Sequence, residues 1–290
     1  MKNKLLALAI LSLMLVALAG CGGGETTVSA PPERSATEEK AAEEPAEPTS
    51  IDYDNRALAS NDKVDVALKE ISHDGITFTM TNKTADIITI RQEGIALDGQ
   101  CIYAGDNALL YEDLVPNTST EVLLPYELNN IKHQNISGSF ELSYVDEQGY
   151  GSTDSFLNFS NVDLGYESHP IWEYPEDSSK NGQVLYEDAR VTCRLYRIMD
   201  DMFAVTIKNN STEFFTTLID SIVVDGKSIS ETSTVGADCL PGCEAIDMIQ
   251  TLDFDLESEI QSGSTIAGVI ELFGQTGGIN GQFSFNMTVE

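Results

Sequence analysis

By type and spacing, the groups in this chain that can do chemistry are its thiols, a run of alternating carboxylates, three histidines and an aromatic pair. Cys239 and Cys243 bracket Leu240-Pro241-Gly242. A Pro-Gly turn can bring two such sulfurs within disulfide range, although closing so short a loop contributes only about 2 kcal/mol on a loop-entropy argument. A redox centre more often uses Cys-x-x-Cys, and a zinc site needs a second pair of ligands close by, which is missing. Asp253, Asp255, Glu257 and Glu259 alternate with Leu252, Phe254 and Leu256, so these carboxylates share one face of a strand. Oxygen ligands on one face suit calcium, yet the spacing is not that of a calcium loop, and a charged face also guards a strand against aggregation. His73, His133 and His169 stand apart from any nucleophile elbow, zinc-binding helix motif or phosphate-cradling glycine loop. The residues therefore point to no catalytic group, no metal and no cofactor. Trp172 and Tyr174, in Ile171-Trp172-Glu173-Tyr174, remain: such a pair packs into a crease between domains or forms a contact for a protein or glycan partner.

The elements that must position these groups come from an internal duplication. Residues 64–99 run without a gap against residues 191–226, meeting at Val64/Val191, Leu68/Leu195, Asp74/Asp201, Thr79/Thr206, Asn82/Asn209, Thr89/Thr216, Ile95/Ile222, Asp98/Asp225 and Gly99/Gly226. Residues 136–142 then match residues 266–272. The apolar beat has period two, as in half-buried strands. It predicts strands at 64–68, 76–81, 87–91, 94–97, 100–103, 120–126, 138–145 and 153–159. In the second copy it predicts 189–196, 202–208, 214–218, 222–224, 228–230, 248–256, 265–273 and 282–289. One helical turn is expected at 55–60. Asp98-Gly99 and Asp225-Gly226 are hairpin turns by type. Cys193 takes the place of Val66 on the inward beat and reads as a small core residue; spacing alone leaves open whether Cys101 and Cys193 are free.

Short strands at such intervals, with no segment of helical period, argue for an all-β chain of two antiparallel sandwiches, a barrel being the alternative. The expected order is a signal segment at 1–20, a tether at 21–50, a first sandwich at 51–165, a linker at 166–182 and a second sandwich at 183–290. Asn82-Lys83-Thr84, Asn135-Ile136-Ser137, Asn209-Asn210-Ser211 and Asn286-Met287-Thr288 match the N-glycosylation pattern, but at strand ends they read as turn and strand-edge residues. Lys plus Arg is 16 against 47 for Asp plus Glu, a net charge of −31. That field repels nucleic acid and discourages contact with anionic headgroups.

Lys2 and Lys4 precede an apolar run, residues 5–18, that is too short for a permanent span. Leu18-Ala19-Gly20-Cys21 follows and resembles a bacterial lipobox. The resemblance implies that the Cys21 thiol carries diacylglycerol and becomes the first mature residue, an anchor made stable by more than one acyl chain. Residues 22–50 are rich in Gly, Glu, Ala, Thr and Pro, with too little apolar surface to offset ordering entropy. They read as a tether on the outer face of a cell membrane.

The strand beats ending in Asn82-Lys83-Thr84 and Asn209-Asn210-Ser211, with the two Asp-Gly hairpins, resemble the tandem immunoglobulin-like domains of unknown function carried by Gram-positive lipoproteins. The fold of that group is similar to a secreted immunoprotective antigen. The Cys–Trp–Cys pin of antibody domains is absent. The resemblance implies no catalytic residues. It fits a non-catalytic surface module that binds a protein or glycan, or a structural spacer or assembly component of the envelope.

Overall fold

The structure is a computed structural model and describes residues 48–102, 110–145, 151–174, 182–199, 202–229, 231–251, 260–276 and 278–289. The signal segment, Cys21, nearly all of the tether and the carboxylates at 253–259 lie outside the described residues. Residues Glu47–Glu290 form one compact unit. Among the described residues no helix is long and apolar enough to cross a membrane.

The first copy contributes β1 (Ser50–Ser60), β2 (Val64–Ser72), β3 (Gly75–Asn82), β4 (Ile88–Leu97), β5 (Gln100–Cys101), β6 (Tyr111–Leu114), β7 (Ser119–Pro125), β8 (Asn135–Val145) and β9 (Gly151–Asp163). The second contributes β10 (Val184–Glu187), β11 (Val191–Met199), β12 (Met202–Asn209), β13 (Phe215–Val224), β14 (Lys227–Ser228), β15 (Glu231–Val235), β16 (Ala237–Cys239), β17 (Glu244–Thr251), β18 (Thr265–Gly274) and β19 (Ile279–Thr288). In the first copy, β1-β2-β3-β7 faces β5-β4-β8-β9, with β6 on β4. In the second, β10-β11-β12-β17 faces β14-β13-β18-β19, with β15 on β17 and β16 on β13. Within each copy the pairs are antiparallel. Each pair of sheets closes on its own apolar core, around Phe78, Phe140 and Leu68 in the first copy and Phe203, Phe285 and Leu195 in the second.

The predicted pairs 87–91 with 94–97 and 214–218 with 222–224 are each one strand. A bulge lies between Gln92 and Gly94 and between Ile219 and Ser221. An extra residue flips which parity faces inward: Ile88 and Ile90 point into the core before the bulge, Ile95 and Leu97 after it. Alternation therefore fails where the backbone continues. The helical turn expected at 55–60 is part of β1 instead. Asp54 and Asn55 take left-handed φ of 50° and 55°, the register with β2 shifts there, and the strand resumes beyond it.

Each copy is pinned by a buried asparagine. Asn82 donates through Nδ2 to the carbonyls of Asp86 (2.8 Å) and Leu114 (2.9 Å), and its Oδ1 accepts from the Thr84 amide (2.9 Å) and hydroxyl (2.8 Å). Asn209 repeats this with Glu213 (2.8 Å), Cys239 (2.9 Å) and the Ser211 amide (2.9 Å) and hydroxyl (2.7 Å). Both asparagines are fully buried, which explains the Asn-x-Ser/Thr pattern by packing: the third-position hydroxyl completes a cap on the strand end.

Candidate functional site

The two sandwiches meet at a seam where the second sheet of the first copy continues into the first sheet of the second. The link is short and parallel: Gln100 lies opposite Glu244, and the Glu244 amide donates to the Gly99 carbonyl at 2.8 Å. The Asp-Gly turn makes this possible, since Asp98 and Gly99 adopt φ of 53° and 79° and leave the Gly99 carbonyl facing outward. Gln100 then clamps the connection between the copies. Its Oε1 accepts from the amides of Ile171 (2.7 Å) and Trp172 (3.3 Å), and its Nε2 donates to the Trp172 carbonyl (3.0 Å).

This clamp places the predicted aromatic pair. Trp172, Tyr174 and Tyr196 form a triangle of edge-on rings with centroids 5.6–6.1 Å apart. The Tyr174 hydroxyl donates to Glu244 Oε1 (3.0 Å) and shares a hydrogen bond with the Thr206 hydroxyl (2.6 Å); burial pushes its pKa up to about 12. Trp172 is half-buried. Its indole N–H is buried with no hydrogen-bond acceptor, and its ring closes one wall of a hollow of about 340 Å³ shared with Leu128, Asn130 and His133.

On the other side of the joint a cleft of about 760 Å³ opens between the copies. Asn158, Ser160 and Asn161 of β9 form one wall, Ser211, Thr212 and Glu213 of the capped loop the other, and Gln275 and Asn280 of the β18–β19 hairpin close the end. Phe159 and Phe214 form an apolar floor and are over nine-tenths buried. Gln275 ties the copies together by donating through Nε2 to Ser139 Oγ at 2.8 Å. The lining is rich in amides and hydroxyls, with Glu213 its single titratable group among the described residues.

The cysteines sort differently from their spacing. All four described cysteines are buried free thiols. Cys239 turns its sulfur toward the carbonyls of Ala237 (3.6 Å) and Ile207 (3.9 Å). Cys243 faces across the seam, where the Cys101 thiol hydrogen-bonds to it, raising the Cys101 pKa well above the usual thiol range and lowering that of Cys243. Cys193 lies in the second core, as its place in the beat predicts, and burial raises its pKa.

Three carboxyls near the seam and in the second core were not singled out by sequence. Asp247 is fully buried in β17 with no hydrogen bond to either oxygen; the neighbouring Thr217 hydroxyl is directed to the Ala237 carbonyl at 3.4 Å. Burial pushes the Asp247 pKa up to about 7. Its counterpart by strand register is Val122, since Val205 and Phe78 are their equivalent partners. That register is the signal that finds it: a charge on an inward beat. Asp238 accepts from the Thr216 hydroxyl at 2.8 Å and is raised to about 6 by burial. Glu93, at the bulge, is raised to about 7 by burial against the pull of Arg91, which sits 2.6 Å from it and 2.5 Å from Glu141. His133, fully buried, places Nδ1 2.9 Å from Asp98 Oδ2 and Nε2 2.9 Å from the Asn130 carbonyl. His73 and His169 share a hollow of about 350 Å³ with Asn129 and Lys132. No group of three metal-binding side chains occurs among the described residues.

No family model and no curated protein matches this chain. Among solved structures it shows weak likeness to a chain from the structure of neurohormone perception by the receptor tyrosine kinase Torso, with 12% identity, 79% of this chain and 74% of that one covered, and a TM-score of 0.22. A second, pT26-6p, gives 5% identity, 83% and 65% coverage, and a TM-score of 0.24. Likeness at this level carries no argument about fold or function.

Proposed function

We propose that this chain is a non-catalytic binding module, held on the outer face of a cell membrane through lipid on Cys21, whose two sandwiches are immunoglobulin-like. The sheet orders support the domain reading. With β2, β3, β4, β5, β7, β8 and β9 taken as strands A, B, C, C′, E, F and G, the first copy has an A-B-E sheet against C′-C-F-G. In the second copy β15 adds strand D beside strand E. The observation that carries the functional reading is the cleft of about 760 Å³ walled by both copies. Amide and hydroxyl groups around an apolar floor suit hydrogen bonding to the hydroxyls of a glycan. A single carboxylate, Glu213, is one short of the pair that glycoside hydrolysis uses.

The test is a glycan array probed with residues 47–290, the compact unit holding both cores, beside a variant carrying Asn158→Ala and Thr212→Ala and a separate Trp172→Ala variant. Binding weakened about tenfold or more by the cleft pair, and unchanged by Trp172→Ala, supports the reading. Loss on Trp172→Ala alone moves the site to the aromatic crease. No captured glycan at ~1 mM overturns glycan binding and leaves the second reading, a structural spacer or assembly component. That reading is favoured by the clamp of Gln100 on the connecting segment, which fixes one copy against the other.

A further inference from the structure

The two copies have the same turn after β6 and β16, in opposite surroundings. Strand register sets the equivalence: Ile88 pairs with Leu114 as Phe215 pairs with Cys239. Val115-Pro116-Asn117 therefore corresponds to Leu240-Pro241-Gly242, and Asn117 and Gly242 both take left-handed φ, 54° and 75°. Ile87 likewise corresponds to Phe214. In the second copy these apolar side chains are covered: Phe214 is 7% exposed and Leu240 3%. In the first they face solvent: Ile87 is 52% exposed and Val115 56%.

What covers Leu240 is the outward face of the first copy's β4–β5 hairpin. Ala96 and Cys101 belong to the second copy's apolar cluster, and a Cβ placed on Gly94 would lie 3.5 Å from the Leu240 side chain. The same face recurs on the second copy, where, among the described residues, it is less deeply buried. Register makes Ser221, Val223 and Ser228 the counterparts of Gly94, Ala96 and Cys101, and Ala267 and Val269 the counterparts of Ser137 and Ser139. Ser137 and Ser139 are buried at 2% and 0%, whereas Val223, Ala267 and Val269 are only half-buried and Ser228 is exposed. The free face on the second copy is also the more apolar one.

We propose that the chain associates with copies of itself head to tail, the Val223–Ala267–Val269 face of one molecule seating on Ile87 and Val115 of the next. The contact within one chain is the template for the contact between chains. It is heterologous, two different surfaces meeting, so it propagates into a ring or a row instead of closing as a twofold dimer. The occupant is a second copy because the chain itself presents the matching surface. The net charge of −31 opposes the approach, so added salt strengthens it. The inference is independent of glycan binding in the cleft.

Sedimentation of residues 47–290 from ~1 to ~300 μM, at low and ~0.5 M salt, tests it. The expected result is a mass that grows with concentration, more so at high salt. Val115→Asp blocks one surface and Val269→Glu the other, and each should weaken association at least tenfold. Mixed in equal amounts, the two variants should form a dimer and stop there, because each retains the surface its partner needs. Thermal midpoints within a few degrees of the parent establish that both variants fold. A parent that stays monomeric, association indifferent to both substitutions, or a mixture that stays monomeric overturns the proposal.

Discussion

The same position holds Val122 in one copy and Asp247 in the other, Leu114 in one and Cys239 in the other, Val66 in one and Cys193 in the other. The polar pins do not vary in this way. Asn82 and Asn209 make the same four hydrogen bonds to within 0.1 Å. Asp98 and Asp225 take the same left-handed turn, and each receives an amide from the first residue of the equivalent strand, Asn135 of β8 and Thr265 of β18. Apolar contact has no direction, so a core accepts another apolar side chain of similar size, as at Val66 and Cys193, whereas the carboxyl of Asp247 is pushed toward its neutral form by the same surroundings. A buried amide must find donors and acceptors at fixed places. In this fold the hydrogen-bonded corners define the sandwich, and the core between them is negotiable.

The sharpest way to break that comparison is to remove a corner. Asn82→Ala and Asn209→Ala each leave two buried carbonyls and a strand-end amide without partners. Each should cost on the order of 3–5 kcal/mol, the loss of a buried hydrogen-bond network. Urea unfolding of both variants should give losses that agree within about 1 kcal/mol. A corner that costs nothing in one copy would mean the pins are not equivalent.

Asp247 is the largest departure between the copies, and its effect depends on pH. Its carboxyl has a pKa of about 7 when folded and about 3.9 when unfolded, so the folded state holds the proton more tightly. The stability it confers as a neutral acid is present below pH ~4, falls as pH rises through 7, and amounts to at most about 4 kcal/mol. Thermal melts from pH 4 to 8 should show this slope. Asp247→Val, which installs the residue of the first copy, should flatten it and raise stability at pH 8. A slope unchanged by Asp247→Val would assign it to other carboxyls, Glu93 and Asp238 first.

Much of this was legible in sequence because a duplication displays its own alignment. The strand beat, the two hairpins, the inward place of Cys193 and the strand-end role of the two Asn-x-Ser/Thr sites all follow from spacing within one copy. The misses are physical. β6, β15 and β16 are short edge segments whose charged or small residues carry little alternation, and bulges at Glu93 and Asp220 reset it inside β4 and β13. Cys239 and Cys243 are neighbours in sequence, whereas the contact of Cys243 with Cys101 depends on how two sandwiches dock, which no local period encodes. The cleft shares that origin: each copy supplies half of its wall.

Two glycines sharpen the comparison at smaller magnitude. Gly138 and Gly268 sit under an aromatic ring in each copy. An added Cβ would lie 2.4 Å from the Phe159 ring and 2.6 Å from Ile95 in the first, and 2.4 Å from the Phe285 ring and 2.9 Å from Ile222 in the second. Overpacking of this kind costs about 1–3 kcal/mol. Gly138→Ala and Gly268→Ala should lower the urea midpoint, with Gly138→Ala the costlier because its isoleucine contact is the closer, 2.6 Å against 2.9 Å.

The smallest effect separates one hydrogen bond in two settings. Thr89 donates to Asp113 at 2.6 Å and Thr216 to Asp238 at 2.8 Å. Asp113 is exposed, so water replaces a lost hydroxyl and Thr89→Val should cost only about 0.5 kcal/mol. Asp238 is enclosed by the first copy, and its pKa of about 6 already reflects burial. Removing its donor should raise that value further. Thr216→Val should therefore cost about 1–2 kcal/mol above pH 6 and about half as much below pH ~3, where the carboxyl is neutral in both folded and unfolded chains and only a neutral hydrogen bond is lost. Equal losses in the two variants at pH 8 would mean that water reaches Asp238, and the seam would then be looser than its packing around Leu240 requires.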